Sequence, residues 1–197
     1  MAEALLMVGL LYLTFMCHRS SALPPGRNDA SAAFIWASCR GTTYPSKCIK
    51  SLISFAPAIK RNPKQLAHTA LTLSLVKAQS TTAFMNRLAK LRSLKPRERR
   101  ALADCRLVVD EAVNKLNDSI RELRLVEIGV RSRWHVSNLQ TWVSSALTNE
   151  NTCADGFADR SLNGRVKDSI KSRIVDVGET TSTALALINK YRNRSEE

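Results

Sequence analysis

The feature that most constrains this chain is the length of its stretches without glycine or proline. None interrupts the sequence from Lys64 to about Arg92, and after Pro96 none returns until Gly129. Seven glycines and six prolines in 197 residues are few for an all-β chain, which needs a turn roughly every 8–12 residues. Apolar residues within these stretches recur at steps of three and four, the spacing of one helix face. In the first, Pro63 to about Arg92, the expected buried stripe is Leu66, Ala70, Leu73, Val76, Ala83, Phe84, Leu88 and Leu91. In the second, Arg97 to about Leu123, it is Leu102, Cys105, Val109, Ala112, Leu116 and Ile120. A third helix is expected from about Ser132 to Leu147, with Leu139, Trp142, Val143, Ala146 and Leu147 along one side. A fourth spans about Leu162 to Tyr191, its inward positions running from Val166 through Ile170, Ile174, Val177, Ala184 and Ile188. Asn62 can cap the first helix, with Pro63 at its first position and Gln65 at its third. Four long amphipathic helices with short links predict an all-α, antiparallel four-helix bundle.

Ahead of the bundle, AAFIWAS (Ala32–Ser38) is a short helix candidate running into Cys39, and Gly41 breaks it. Tyr44-Pro45-Ser46 restarts the chain into a second short helix with Cys48, Ile49, Leu52 and Ile53. Neither piece is long enough to hold alone, so a helical hairpin is expected. The apolar run Leu5–Met16 has the length of a signal-peptide core and is too short to span a membrane. Small residues Ser20, Ser21 and Ala22 follow it. The expected organisation is therefore a signal peptide over 1–22, a flexible leader over 23–30, a folded domain over 31–192 (hairpin 31–56, bundle 62–192) and a tail over 193–197.

Of the five cysteines, Cys17 falls within the signal peptide. Cys39, Cys48, Cys105 and Cys153 remain, and in an oxidising compartment they form two disulfides with three possible connectivities. Pairing Cys39 with Cys48 pins the hairpin, which is worth about 2–3 kcal/mol on a chain-entropy estimate. In an up-down bundle the start of the second helix and the end of the third share one end, so Cys105 can meet Cys153. That closes a loop of about 50 residues, worth about 4 kcal/mol. The other pairings tie the hairpin to the bundle. Zinc is a poor alternative: no cysteine pair has C-x2-C spacing, and His68 and His135 stand apart in the sequence. No metal or cofactor site is expected.

The net charge of +13 and pI near 10.0 attract polyanions. Secretion argues against nucleic acid as partner, and removal of the signal leaves no membrane segment. An acidic polysaccharide remains, with KLRSLKPRERR (Lys90–Arg100) as the densest basic run. Catalytic signatures are missing: there is no nucleophile elbow, P-loop, dinucleotide fingerprint or zinc-protease motif. Asp104, Asp110, Glu111, Asp118 and Glu122 read as a solvated face with i,i+4 pairs such as Glu111 with Lys115. Asn117-Asp118-Ser119 and Asn193-Arg194-Ser195 are N-glycosylation sequons. After Leu147 the apolar pattern stops. Asn149, Glu150, Asn151 and Thr152 read as a polar helix end, held by Cys153 and available to a partner.

Three strings carry a specific resemblance: FIWASCRGTTYPSKCIKSL, ALADCRLVVDEAVNKLNDSI and LQTWVSSALTNENTCADGF. With the four-cysteine layout they make the chain resemble the plant invertase and pectin methylesterase inhibitor family, from about Ala33 to Tyr191. The resemblance implies a hairpin followed by a four-helix bundle, with disulfides Cys39–Cys48 and Cys105–Cys153. It implies a secreted, cell-wall protein that is not an enzyme and that blocks its target sterically, by non-covalent 1:1 binding. Invertase inhibitors of the family typically carry a Pro-Lys-Phe segment before the last bundle cysteine. Here VRSRWHVSNLQTWVSSALT occupies that region, which favours the branch that inhibits pectin methylesterase. The QTWVSSALTNENTC string also looks like the inhibitor-like pro-regions of pectin methylesterase precursors. By motif position, Thr152, Asp155 and Glu111 are implied contacts with the esterase. Leu107 falls where some relatives have an acidic residue. Thr152 and Asp155 also have structural readings, as a shaper of the loop before Cys153 and as a cap for the next helix.

Overall fold

The computed structural model describes residues 27–126, 130–158, 162 and 164–195, with the side chains of 27–29, 130–132 and 193–195 excluded. The expected signal peptide, the first half of the leader (23–26) and the side chain of Asn193 lie outside this set. All described elements are helical: α1 (Arg27–Cys39), α2 (Pro45–Leu52), a 3-10 turn (Ile53–Phe55), α3 (Ala56–Ile59), α4 (Pro63–Leu88), α5 (Pro96–Leu125), α6 (Val130–Gly156) and α7 (Arg165–Ser195). Helix α1 begins at Arg27, inside the stretch expected to be leader, and α7 runs to Ser195, inside the expected tail.

The four long helices form a closed ring. α4 packs on α5, α5 on α6, α6 on α7, and α7 returns to α4. Leu71, Met85, Leu102, Leu116, Leu139 and Ile174 are essentially inaccessible within it, each contributing about 1.5–3 kcal/mol of burial. The start of α4 follows the sequence reading: the Asn62 side chain accepts the Gln65 backbone N–H at 3.1 Å, and Pro63 opens the helix. The corner before it is made by Lys60 and Arg61, whose φ values of 49° and 61° are left-handed.

The expected stripe is correct along α5, where all six named residues are buried. Along α4 it is rotated. Val76 is 56% exposed and Thr69, Ser74 and Thr81 turn inward, while Leu91, 44% exposed, lies beyond the helix end at Leu88. Two of these hydroxyls are satisfied locally: Thr69 donates to the Gln65 carbonyl at 2.8 Å and Thr81 to the Lys77 carbonyl at 2.9 Å. Thr69 and Thr81 let helices approach closely without stranding a polar group, whereas the buried Ser74 hydroxyl has no hydrogen-bond partner among the described residues.

The hairpin is clasped to the bundle by charge. Lys47 of α2 lies 2.6 Å from Asp176 Oδ1 and 2.5 Å from Glu179 Oε2 on α7, and Lys77 of α4 lies 2.7 Å from Asp176 Oδ2. Burial pushes the Asp176 carboxyl upward, but the two lysines outweigh it and hold it below its ordinary range. Lys190 of α7 donates to the Ser38 carbonyl at 2.5 Å. Gly41 lies beside it: a Cβ there would stand 2.9 Å from Lys190 Nζ, the far end of a flexible side chain that can shift aside.

Both disulfides are present as expected. Cys39 and Cys48 have Cα atoms 5.6 Å apart and close the hairpin; Cys105 and Cys153, 4.5 Å apart, join α5 to α6. Removing the second with Cys105→Ser and Cys153→Ser together is expected to cost about 4 kcal/mol, a fall of about 10 °C in Tm for a domain of this size. Differential scanning calorimetry of the double variant checks this, and an unchanged Tm would mean that α5 and α6 hold their alignment without the bond.

Candidate functional site

The continuation of α6 beyond Leu147 shapes the candidate site. The polar run Asn149–Thr152 does not end the helix, because no breaker occurs before Gly156, so Cys153 lies within α6 rather than beyond it. Phe157 and Leu162, both buried, then anchor the chain as it leaves. The sulfur of Met85 on α4 lies 3.3 Å from Cys105 Sγ and backs the disulfide from inside the core.

Outside this crosslink, α5 and α6 enclose a groove of about 500 Å3. The disulfide, Ala101, Val108, Gly156 and Leu162 supply its apolar lining, while Arg97, Arg100, Asp104 and Thr152 supply exposed polar groups. Of the four expected contact residues, the groove takes in Thr152 alone. Leu107 is 73% exposed on α5, Glu111 lies one turn further on and bridges Lys115 at 3.2 Å, and Asp155 is exposed one turn after Thr152. Spacing places Arg100, Asp104, Leu107 and Glu111 in one stripe along α5, and Thr141, Thr148, Thr152 and Asp155 in another along α6. Asp155 is inside α6, so it does not cap the next helix. Thr152 does not shape a loop; its hydroxyl donates to the Thr148 carbonyl at 2.9 Å. Thr148 and Thr141 donate likewise to Ser144 and Ser137, each at 3.0 Å.

Two groups depart from the solvated roles expected of them. Glu122 is 7% exposed and accepts from His135 Nδ1 at 2.8 Å and from Asn138 Nδ2 at 3.0 Å, joining α5 to α6 at the opposite end. His135 therefore does not stand alone. Glu150, read as available to a partner, is 1% exposed. Its Oε1 accepts from the Thr181 hydroxyl of α7 at 3.0 Å, and its Oε2 has no hydrogen-bond partner. Gly178 of α7 lies beside that oxygen, and a Cβ there would meet it at 3.9 Å, an ordinary contact. The signal was present in the spacing: Leu139, Val143, Ala146, Glu150 and Cys153 continue one face. Asn117 sits mid-α5, half-buried, and donates to the Val113 carbonyl at 3.0 Å. Among the described residues no cluster of three or more His, Cys, Asp or Glu could hold a metal, and no helix is long and apolar enough to cross a membrane.

Burial pushes the Glu150 carboxyl up to about 8, against a smaller opposing effect of the Thr181 hydrogen bond. The folded chain thus keeps a proton that the unfolded chain releases near the ordinary carboxylate range. Its stabilising contribution is complete below about pH 4.5 and is lost as pH rises to about 8. Tm is expected to fall between pH 5 and pH 8, by an amount on the order of several kcal/mol in stability. Glu150→Gln, which keeps the shape without the titration, is expected to flatten that slope. Thermal melts of both proteins across this range check it, and equal slopes would refute it.

The sequence profile of a family described as plant invertase/pectin methylesterase inhibitor matches residues 33–187. Pectinesterase inhibitor 11 of Arabidopsis thaliana is 43% identical, covering 94% of this chain and 98% of its own length. Pectinesterase inhibitor 9 of the same plant is 41% identical, covering 98% and 95%. A crystal structure of a mutant form of a pectin methylesterase inhibitor from Arabidopsis superposes with a TM-score of 0.63, covering 77% of this chain and 92% of that one at 22% identity. This last likeness is one of fold.

Proposed function

The chain belongs to the plant invertase/pectin methylesterase inhibitor family, and we propose that it is a secreted protein inhibitor of pectin methylesterase acting in the plant cell wall. The observation that carries this reading is its end-to-end similarity to two pectinesterase inhibitors at 43% and 41% identity. The chain acts by occupying the esterase's substrate cleft, one inhibitor to one enzyme, and keeping pectin out without a covalent step. The rigid α5–α6 pair is the surface offered, with Thr152, Asp155, Glu111 and Leu107 as contacts. All four are exposed along the two stripes that flank the crosslinked seam. Holding them on paired helices limits the ordering that binding demands. The basic surface is suited to holding anionic pectin, a contact that added salt weakens.

Titrating a plant pectin methylesterase and an acid invertase with the oxidised mature chain tests the function. Loss of esterase activity alone at near-stoichiometric ratios is the expected result. Loss of invertase activity alone would assign the chain to the other branch. Within this assay Thr152→Ala and Asp155→Ala are each expected to weaken inhibition by about tenfold, equivalent to about 1.4 kcal/mol. Their Tm should stay at the wild-type value because both side chains are exposed. Undiminished inhibition by both variants would place the interface elsewhere on the bundle.

A further inference from the structure

The corner between α4 and α5 gathers cations that the fold does not use. Lys90, Arg92, Lys95, Arg97 and Arg100 are all exposed, and among the described residues none of them takes part in an ion pair. Elsewhere Lys47, Lys77, Lys115 and Arg121 are each paired with a carboxylate. The corner's own Glu98 is a single buried carboxylate that accepts the Lys95 backbone N–H at 2.9 Å, and it offsets at most one of these charges. Arg99 folds back on the turn, donating to the Ala89 and Leu91 carbonyls at 3.4 Å. Arg97 and Arg100 instead reach into the groove beside the Cys105–Cys153 crosslink.

That groove has the make-up of a saccharide site. Its apolar lining of Ala101, Val108, Gly156, Leu162 and the disulfide suits the C–H faces of sugar rings. Asp104 and Thr152 at its edges can bond ring hydroxyls, and two guanidinium groups stand ready for carboxylates. We propose that the groove and its cationic corner bind a linear polyuronate, a polysaccharide with a carboxylate on each sugar, and that Arg97 and Arg100 hold those carboxylates. Methyl esterification removes the charge, so the site distinguishes de-esterified from esterified chains. It retains the protein where esters have already been removed. Thr152 borders the same groove, so on the function proposed above this edge serves polyuronate or esterase, one at a time.

The test is direct binding of the oxidised mature chain to polygalacturonate and, separately, to highly methyl-esterified pectin. No esterase is present, so a failure here leaves the inhibitory function standing, and a failure to inhibit leaves this inference standing. Wild type is expected to bind polygalacturonate at low salt, to bind the esterified polymer far more weakly, and to release with added salt. Arg97→Gln with Arg100→Gln should lower affinity by about tenfold. A control pair, Lys50→Gln with Arg121→Gln, removes the same charge elsewhere, Arg121 lying about 30 Å along α5 from Arg100. It should change affinity by less than about twofold. Equal losses in the two double variants would reduce the interaction to net charge and overturn the site. Equal binding of both polymers, or no binding, would overturn it as well. Unchanged thermal melts of the variants, whose altered side chains are exposed, exclude unfolding as the cause of a loss.

Discussion

The crosslink between Cys105 and Cys153 is the constraint on which the working surface depends. With Cα atoms 4.5 Å apart, it sets the separation and register of α5 and α6 beside the proposed contact surface. A stripe on one helix has meaning to another protein only if its neighbour's stripe keeps a fixed offset. Packing alone leaves helix ends prone to fray, since terminal turns carry unsatisfied backbone groups. Here the end of α6 is welded to the start of α5, backed by Met85 and sealed by Phe157. The surface is thus organised before any encounter.

Polar groups inside the bundle set the remaining alignments. Glu150 with Thr181 fits α6 to α7, and Glu122 with His135 and Asn138 fits α5 to α6 at the far end. Lys47, Asp176 and Lys77 tie hairpin, α7 and α4 into one cluster. Hydrophobic contacts tolerate a helix sliding by a turn; a buried carboxyl with a single donor does not, because misplacement leaves it desolvated and unpaired. The apolar core supplies the stability, and these few polar contacts select one arrangement of it.

Much of this was legible in the sequence. The four long helices and the hairpin followed from the spacing of apolar residues and of glycine and proline. So did the cap at Asn62. Cysteine spacing favoured the two disulfides, and the family resemblance implied them. What the pattern missed shares one cause: polar residues were assigned to solvent. Along α4 that assignment rotated the buried face, because Thr69 and Thr81 bury their hydroxyls by bonding their own helix. Along α6 it ended the helix too early and sent Glu150 outward. Glu122 and His135, 13 residues apart, showed no mutual signal until the turn of the chain brought them together. The groove was less legible still. Thr152 was singled out by family motif, but its meeting with Arg97 and Arg100 comes from helices antiparallel across a link, and no local pattern encodes that.

The threonines along α6 also determine what kind of surface can meet them. Thr141, Thr148 and Thr152 have each committed their one hydroxyl proton to a carbonyl four residues back. What they retain for a visitor is lone pairs, and Glu111 and Asp155 likewise offer oxygens without protons. Although the chain as a whole is strongly basic, these three hydroxyls and two carboxylates meet a visitor as acceptors. A complementary protein answers them with N–H and O–H groups, from lysine, arginine, amide or hydroxyl.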